Sequence, residues 1–329
     1  MPETRIIVEQ LKEKLAGGLI PAVPVMFDRA HQFHERAHVS YVDYMRTQPI
    51  AGVAVWAHTG RGLHLTRDVA CTVIECWRQA LPHKPLIAGV GADSRHSDPS
   101  KAIEATLAMA TDAAQYGADA VLAYPPTWLK QHEAQDRLII EYHARLDQLG
   151  LPIVLFYLYE AAGGISYGPN VLDELLSLSN VVGIKMATLD SVMTYQDVAR
   201  HIQTRHPDKL LITGEDRFLG YSLQRGASAA LIGMGAVCCE LQAELLRSHF
   251  EGGAERFLEL SNAVDELAEA LFVRPIEGYI GRILSALAKL GIIPEEAAHD
   301  PWGPSLTASE IRNIETALNN VTASYAGKS

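Results

Sequence analysis

Short apolar runs rich in β-formers alternate along this chain with longer stretches whose apolar positions recur at helical spacing. Eight runs read as strands: Leu19–Val25, Gly52–Ala57, Pro85–Val90, Ala118–Ala123, Pro152–Tyr157, Val181–Met186, Leu210–Thr213 and Ala229–Gly233. Most are nearly continuous in apolar residues, the pattern of strands covered on both faces. The stretches between them read as helices: Val39–Thr47, Thr66–Ala80, Ser100–Tyr116, Glu133–Leu149, Asn170–Leu178, Ser191–Arg205, Arg217–Arg225 and Leu241–Phe250. Ser97-Asp98-Pro99 and Gly168-Pro169-Asn170 supply capping chemistry at the start of two of them.

Eight strand–helix units predict an α/β fold, a (β/α)8 TIM barrel, whose usual size is about 250 residues. An open doubly wound sheet would want a glycine fingerprint after the first strand, and Pro21 to Asp28 has none. The expected organisation is a barrel over 1–250 and a helical extension over 251–329 packed on it. Three helical patterns fall in that extension: Ala254–Phe272, Ile276–Gly291 and Thr307–Val321.

Composition narrows the partners. A formal net charge of −11 argues against nucleic acid and anionic membranes, which need a basic face. The N-terminal MPETRIIVEQLKEKL is charged and amphipathic, unlike a signal peptide, and no apolar run approaches the ~18 residues of a membrane span. Cys71, Cys76, Cys238 and Cys239 lack metal-ligand spacing, so no metal and no cofactor is expected, and the setting reads as reducing and cytoplasmic.

In such a barrel chemistry belongs at the carboxyl ends of the strands. The sixth run, Val181 to Ala187, carries Lys185 among apolar neighbours. Two readings stand: a strand-end lysine reaching solvent, or a buried amine whose pKa is lowered so that it can attack a carbonyl. After the second run, Thr59-Gly60 can offer a hydroxyl and backbone N–H groups to a carboxylate, or be an ordinary turn. Tyr157 and Tyr159 end the fifth run, Gly214 follows the seventh, and Ile232-Gly233 closes the eighth. A buried lysine, a phenol and a Thr-Gly turn converging on one pocket suit class I carbonyl chemistry, in which lysine condenses with a 2-oxo acid and the phenol moves protons.

From Gly18 through the C-terminal helices the chain resembles the dihydrodipicolinate synthase/N-acetylneuraminate lyase family. Gly52 to Thr66 is similar to that family's G-x-x-x-x-G-T/S-T-G-E-x-x-x-L-T/S signature, and Asn180-Val-Val-Gly-Ile-Lys185-Met-Ala-Thr188 to its lysine strand. Gly91, Gly117 to Ala120 and Gly214-Glu215-Asp216 fall where relatives have G-x-G, G-A-D-G/A and G-D/E-D. The resemblance implies that Lys185 forms the imine, that Thr59, Gly60 and neighbouring amides hold the carboxylate, that Gly214 and Ile232 line the pocket, and that the chain is a homo-oligomer, a dimer or tetramer.

The departures are as informative. His58 stands where the family has a hydroxyl, as a further hydrogen-bonding or proton-shuttling group or as a rim residue, and Arg61 stands for the family's glutamate, as an anion clamp or a surface ion pair. Counting back from Lys185 puts the catalytic phenol at Tyr157, whereas counting forward from Pro152 puts Phe156 there. Tyr157 is preferred because a phenylalanine moves no proton, with Tyr159 in reserve. Ala161-Ala162 lacks the arginine, and Pro125 to Trp128 the paired tyrosine, of the lysine-biosynthetic enzyme. Trp56 and Trp128 are candidates to wall a pocket for a bulkier or less polar second substrate, and core packing accounts equally well for Trp56.

The expected function is therefore a lyase, an aldolase or dehydratase, forming a lysine Schiff base with a 2-oxo acid such as pyruvate or a keto-deoxy sugar acid. The alternative is a non-catalytic binding or regulatory protein on the same barrel. A phosphate-binding isomerase is a third reading, with Gly233-Met234-Gly235 as a hint of a phosphate nest.

Overall fold

The computed structural model describes residues 2–93, 98–160 and 163–326, so Ser97 of the expected cap and the Ala161-Ala162 pair lie outside the described residues. The eight expected strands form: β1 (Leu19–Pro21), β2 (Val53–Val55), β3 (Leu86–Val90), β4 (Ala120–Ala123), β5 (Ile153–Leu158), β6 (Val181–Ala187), β7 (Leu210–Thr213) and β8 (Ala229–Ile232). Every pairing is parallel, in the order β1-β8-β7-β6-β5-β4-β3-β2. A parallel bridge between Ala22 and Ala54 closes the ring, with the Val23 N–H donating to the Ala54 carbonyl at 3.1 Å. The result is a (β/α)8 barrel.

Helices α1 (Pro2–Leu15) to α9 (Cys239–Phe250) begin before β1 and end after β8. The ring between the strands is α2 (Glu35–Met45), α3 (Arg67–Ala80), α4 (Pro99–Gln115), α5 (Gln135–Asp147), α6 (Pro169–Leu176), α7 (Val192–Arg205) and α8 (Leu219–Gln224). Caps hold the starts: Thr66 accepts from the Val69 N–H (3.4 Å), Asp98 from Ser100 (2.9 Å) and Ser191 from Thr194 (3.2 Å).

Strand alternation sorts the apolar residues into two cores. One lies between strands and helices. The other fills the barrel interior with Ile20, Ile87, Leu122, Val154, Phe156, Ile212 and Leu231, joined by Val8, Leu11 and Leu15 of α1. The N-terminal stretch that reads only as amphipathic is thus a plug for the amino end of the barrel, where Gly17 N–H donates to the Ser228 carbonyl beside β8. Each of its three buried apolar side chains contributes about 1.5–3 kcal/mol at most.

One irregularity decides where the chemistry points. Ile153 pairs with Val181, but Val154 pairs with Gly183, so β6 carries an extra residue. Val182 faces the interior, and the slip restarts the alternation so that Ile184 and Met186 face the helices. Lys185 is left on the interior side. Glycine is required at 183, since a Cβ there would meet the Leu210 carbonyl oxygen at 2.1 Å.

Beyond α9 follow α10 (Ala254–Leu271), α11 (Tyr279–Lys289) and α12 (Ala308–Ala326). The turn from α10 to α11 is gathered by Arg282, which is fully buried. Its guanidinium donates to the carbonyls of Leu271 (3.2 Å), Val273 (3.0 Å) and Pro275 (3.2 Å) and to Glu310 of α12 (2.9 Å). Arg282→Met removes the donor from the Leu271 and Val273 carbonyls and the ion-pair partner of Glu310, and we expect a loss of about 3 kcal/mol in unfolding free energy. Chemical denaturation measures it; a loss under 1 kcal/mol would mean that apolar packing alone holds the turn.

Candidate active site

The carboxyl ends of β5 to β8 surround a small cavity. Its walls include His58, Thr59, Phe156, Tyr159, Lys185, Gly214, Asp216, Gly233, Phe272 and Tyr279. Lys185 is only 5% exposed, which removes the solvent-reaching reading. Its nitrogen lies 4.4 Å from the centre of the Phe156 ring, a cation–π distance, and makes no ion pair among the described residues. Burial is the main cause lowering its pKa, to about 8, while the charges of Asp216 and Glu215 pull the other way. Glycine at 214 leaves room for the lysine stem: a Cβ there would lie 2.6 Å from Lys185 Cε and 2.9 Å from the Met186 carbonyl oxygen.

The two acids after β7 have separate tasks. Glu215, fully buried, accepts from Thr188 N–H (2.6 Å), Thr188 hydroxyl (2.8 Å) and Leu189 N–H (2.8 Å), and so ties the end of β6 to β7. Asp216 lines the cavity and accepts the Met234 N–H at 2.7 Å. Burial raises the Asp216 pKa to about 7, opposed by that hydrogen bond and by the Lys185 charge. The same contact fills the glycine turn after β8 with the protein's own carboxylate, leaving no open phosphate nest there.

The turn after β2 is a pair of single 3-10 turns, His58–Gly60 and Gly62–His64, hinged at Arg61 in the left-handed region (φ 52). It presents His58 and Thr59 to the cavity. The Gly60 N–H is spent on the Ala57 carbonyl (2.9 Å) and its α-carbon faces the Val23 carbonyl, so Gly60 shapes the turn and does not line the cavity. Arg61 is no surface residue: it is buried, and donates through Nε (3.2 Å) and Nη2 (2.7 Å) to Asp300.

Further expectations need correction. Tyr157 does not enter the site. Alternation along β5 sends Val154, Phe156 and Leu158 inward, and Tyr157 packs outward, its ring edge-on to Tyr167 at 5.7 Å. Phe156 therefore holds the inward seat beside Lys185, its register partner across the strand pair. Ile232 likewise turns its side chain into the helix-facing core, and Gly233 lines the cavity in its place. Trp56 and Trp128 do not wall the pocket: Trp56 is buried with Nε1 on the Ala70 carbonyl (2.9 Å), and Trp128 packs on Tyr142.

The residue that sequence reasoning missed is Tyr279, at the start of α11. Its hydroxyl lies 3.0 Å from Thr59 Oγ1 and 3.1 Å from His58 Nδ1, and its ring stacks on Phe272 at 4.7 Å. Burial raises the phenol well above 10, so it stays protonated. His58 is held down to about 3 by burial and by the charges of Arg61 and Lys185, so it is neutral. Nothing local in Ile276-Glu277-Gly278-Tyr279 marks a site; only the packing of α11 brings it over the barrel mouth. Tyr159 reaches the cavity rim.

A profile of the Dihydrodipicolinate synthetase family matches residues 15–320. The chain is 28% identical over 306 residues to 4-hydroxy-tetrahydrodipicolinate synthase of Bartonella tribocorum, covering 92% of this chain and 97% of that protein. Among solved structures, sialic acid aldolase of Ruminococcus gnavus superposes with a TM-score of 0.79 at 18% identity, over 95% of this chain and 99% of that one. Dihydrodipicolinate synthase of Oceanobacillus iheyensis superposes with a TM-score of 0.78 at 17% identity, over 96% and 99%. The fold is shared with both structures, and by the family match this chain belongs to the dihydrodipicolinate synthetase family.

Proposed function

We propose that the cavity is the active site of a class I lyase that joins Lys185 to a 2-oxo acid such as pyruvate as a Schiff base. The observation that carries this is the Lys185 amine itself: buried, without a counter-ion contact among the described residues, and facing a cavity at the carboxyl end of the barrel. A pKa of about 8 in place of 10.5 gives roughly 300-fold more free amine at pH 7. The amine adds to C2 of the oxo acid, the resulting hydroxyl leaves as water, and the iminium draws electrons from C3. A bond at C3, to hydrogen or to carbon, then breaks to give the enamine; protonation and hydrolysis return the lysine. A merely binding protein has no need of a depressed amine, so the lyase is favoured over the non-catalytic alternative.

Two groups complete the chemistry in this reading. Thr59 Oγ1 donates to the substrate carboxylate or to Tyr279. Tyr279, and not Tyr157, is the phenol that gives a proton to the departing hydroxyl and takes one back, with neutral His58 as its hydrogen-bonded relay. The same reading places the chain in a reducing, cytoplasmic setting, supported by its four free cysteines, and as an oligomer of identical chains, supported by the family alone.

Borohydride reduction with pyruvate should label the wild type at Lys185, read by peptide mass, and Lys185→Ala should give no label; pyruvate that binds without labelling would favour the non-catalytic alternative. Tyr279→Phe should still be trapped at Lys185, more slowly than the wild type, and should slow exchange of the pyruvate C3 protons in heavy water by about 10²-fold or more. Tyr157→Phe should leave exchange within about twofold, since its ring is in the helix-facing core. Loss of exchange in Tyr159→Phe instead would move the role to that residue. Free amine grows as pH rises through about 8, so trapping rates should climb over that range. Asp216→Asn removes a charge that holds the proton on Lys185, and should move the climb to lower pH; an unmoved or higher midpoint would contradict the assignment.

A further inference from the structure

A second cluster lies on the outer helix layer. Asp173 of α6 and His201 of α7 meet His206, the residue that ends α7. Both imidazole Nε2 atoms lie 2.8 Å from the same oxygen, Asp173 Oδ1, and the three ligand atoms are within 4.8 Å of one another. The other carboxylate oxygen accepts from Arg205 Nη2 at 3.0 Å. These groups are half-buried, with exposures of 27%, 19% and 14% for Asp173, His201 and His206. No member lines the Lys185 cavity.

We propose that Asp173, His201 and His206 form a binding site for a divalent transition-metal ion of the zinc, nickel or cobalt kind. Two imidazole nitrogens and one carboxylate oxygen are the donor set such ions prefer, whereas calcium and magnesium favour oxygen-only sites. An ion with bonds of about 2 Å holds tetrahedral ligand atoms roughly 3.3 Å apart, so the 2.8 Å contacts need open by only about half an ångström. Arg205 sits where a second partner fixes a ligating carboxylate, on the oxygen facing away from the imidazoles. The end of α7 adds the negative pole of its dipole, which favours a cation there.

The spacing hides this site from the sequence. Residues five apart on a helix do not share a face. His206 joins His201 because the chain leaves helical geometry there (φ −135, ψ 54), and Asp173 comes from the preceding helix. A bound ion would tie α6 to α7, the helices before and after the lysine strand β6.

The test uses the whole chain freed of metal and titrated with Co²⁺, read by visible absorption, and with Zn²⁺, read by calorimetry and thermal unfolding. The wild type should bind one equivalent with an imidazole-ligated Co²⁺ spectrum and a raised Tm. His201→Gln and His206→Gln should each weaken binding at least tenfold and lose the Tm shift. Borohydride trapping by pyruvate at Lys185 is run on the same samples and should be unchanged, which keeps a folding failure, or a failure of the lyase reading, apart from this one. Absence of Co²⁺ or Zn²⁺ binding in the wild type, or equal binding by a His201→Gln/His206→Gln variant, would overturn the proposal and leave the cluster as a hydrogen-bonded clasp.

Discussion

An amine enclosed by protein, with no charge partner in contact among the described residues, is the constraint around which the upper half of this barrel is arranged. Burial disfavours a fully charged ammonium in that position and lowers the lysine pKa to about 8, so the amine gives up its proton far more readily than an exposed lysine does. The surroundings serve that condition. The extra residue in β6 aims Lys185 inward, Gly214 leaves room for its stem, and Phe156 offers a ring face to its nitrogen. Asp216 is close enough to be felt, yet its oxygen is occupied by the Met234 amide and makes no salt bridge to Lys185.

The second feature is the dependence of the site on helices outside the eight units. Phe272, Ile276 and Tyr279 close the cavity from the α10–α11 connection, and two buried arginines hold that connection in register. Arg282 collects the carbonyls of the turn, while Arg61 joins the turn after β2 to Glu277 of that connection (3.4 Å) and to Asp300, beyond α11. Buried ion pairs add little net stability over apolar packing. Their contribution here is geometric, since the hydroxyl of Tyr279 must meet Thr59 and His58 at hydrogen-bond distance. With Phe156 in the inward seat of β5, the phenol hydroxyl that meets Thr59 and His58 comes from α11.

Much of this was legible in the sequence because it rests on local chemistry. Continuous apolar runs require strands covered on both faces, eight of them with intervening helices leave a closed barrel as the economical solution, and an isolated lysine in one such run marks its carboxyl end as chemical. Thr59 and Gly214 could be placed for the same reason, since each lies in a turn directly after a strand. What only the tertiary structure decided was facing and distance. The period-two alternation of β5 is readable, but its phase is not, because Phe156 and Tyr157 are both apolar enough for either side; register with β6 settles it. The phase of β8, which turns Ile232 outward, is fixed in the same way. Tyr279 and the Asp173–His201–His206 cluster depend on segments that packing alone brings together. A sequence states which side chains a strand or turn carries, whereas the direction they point is set by neighbours far along the chain.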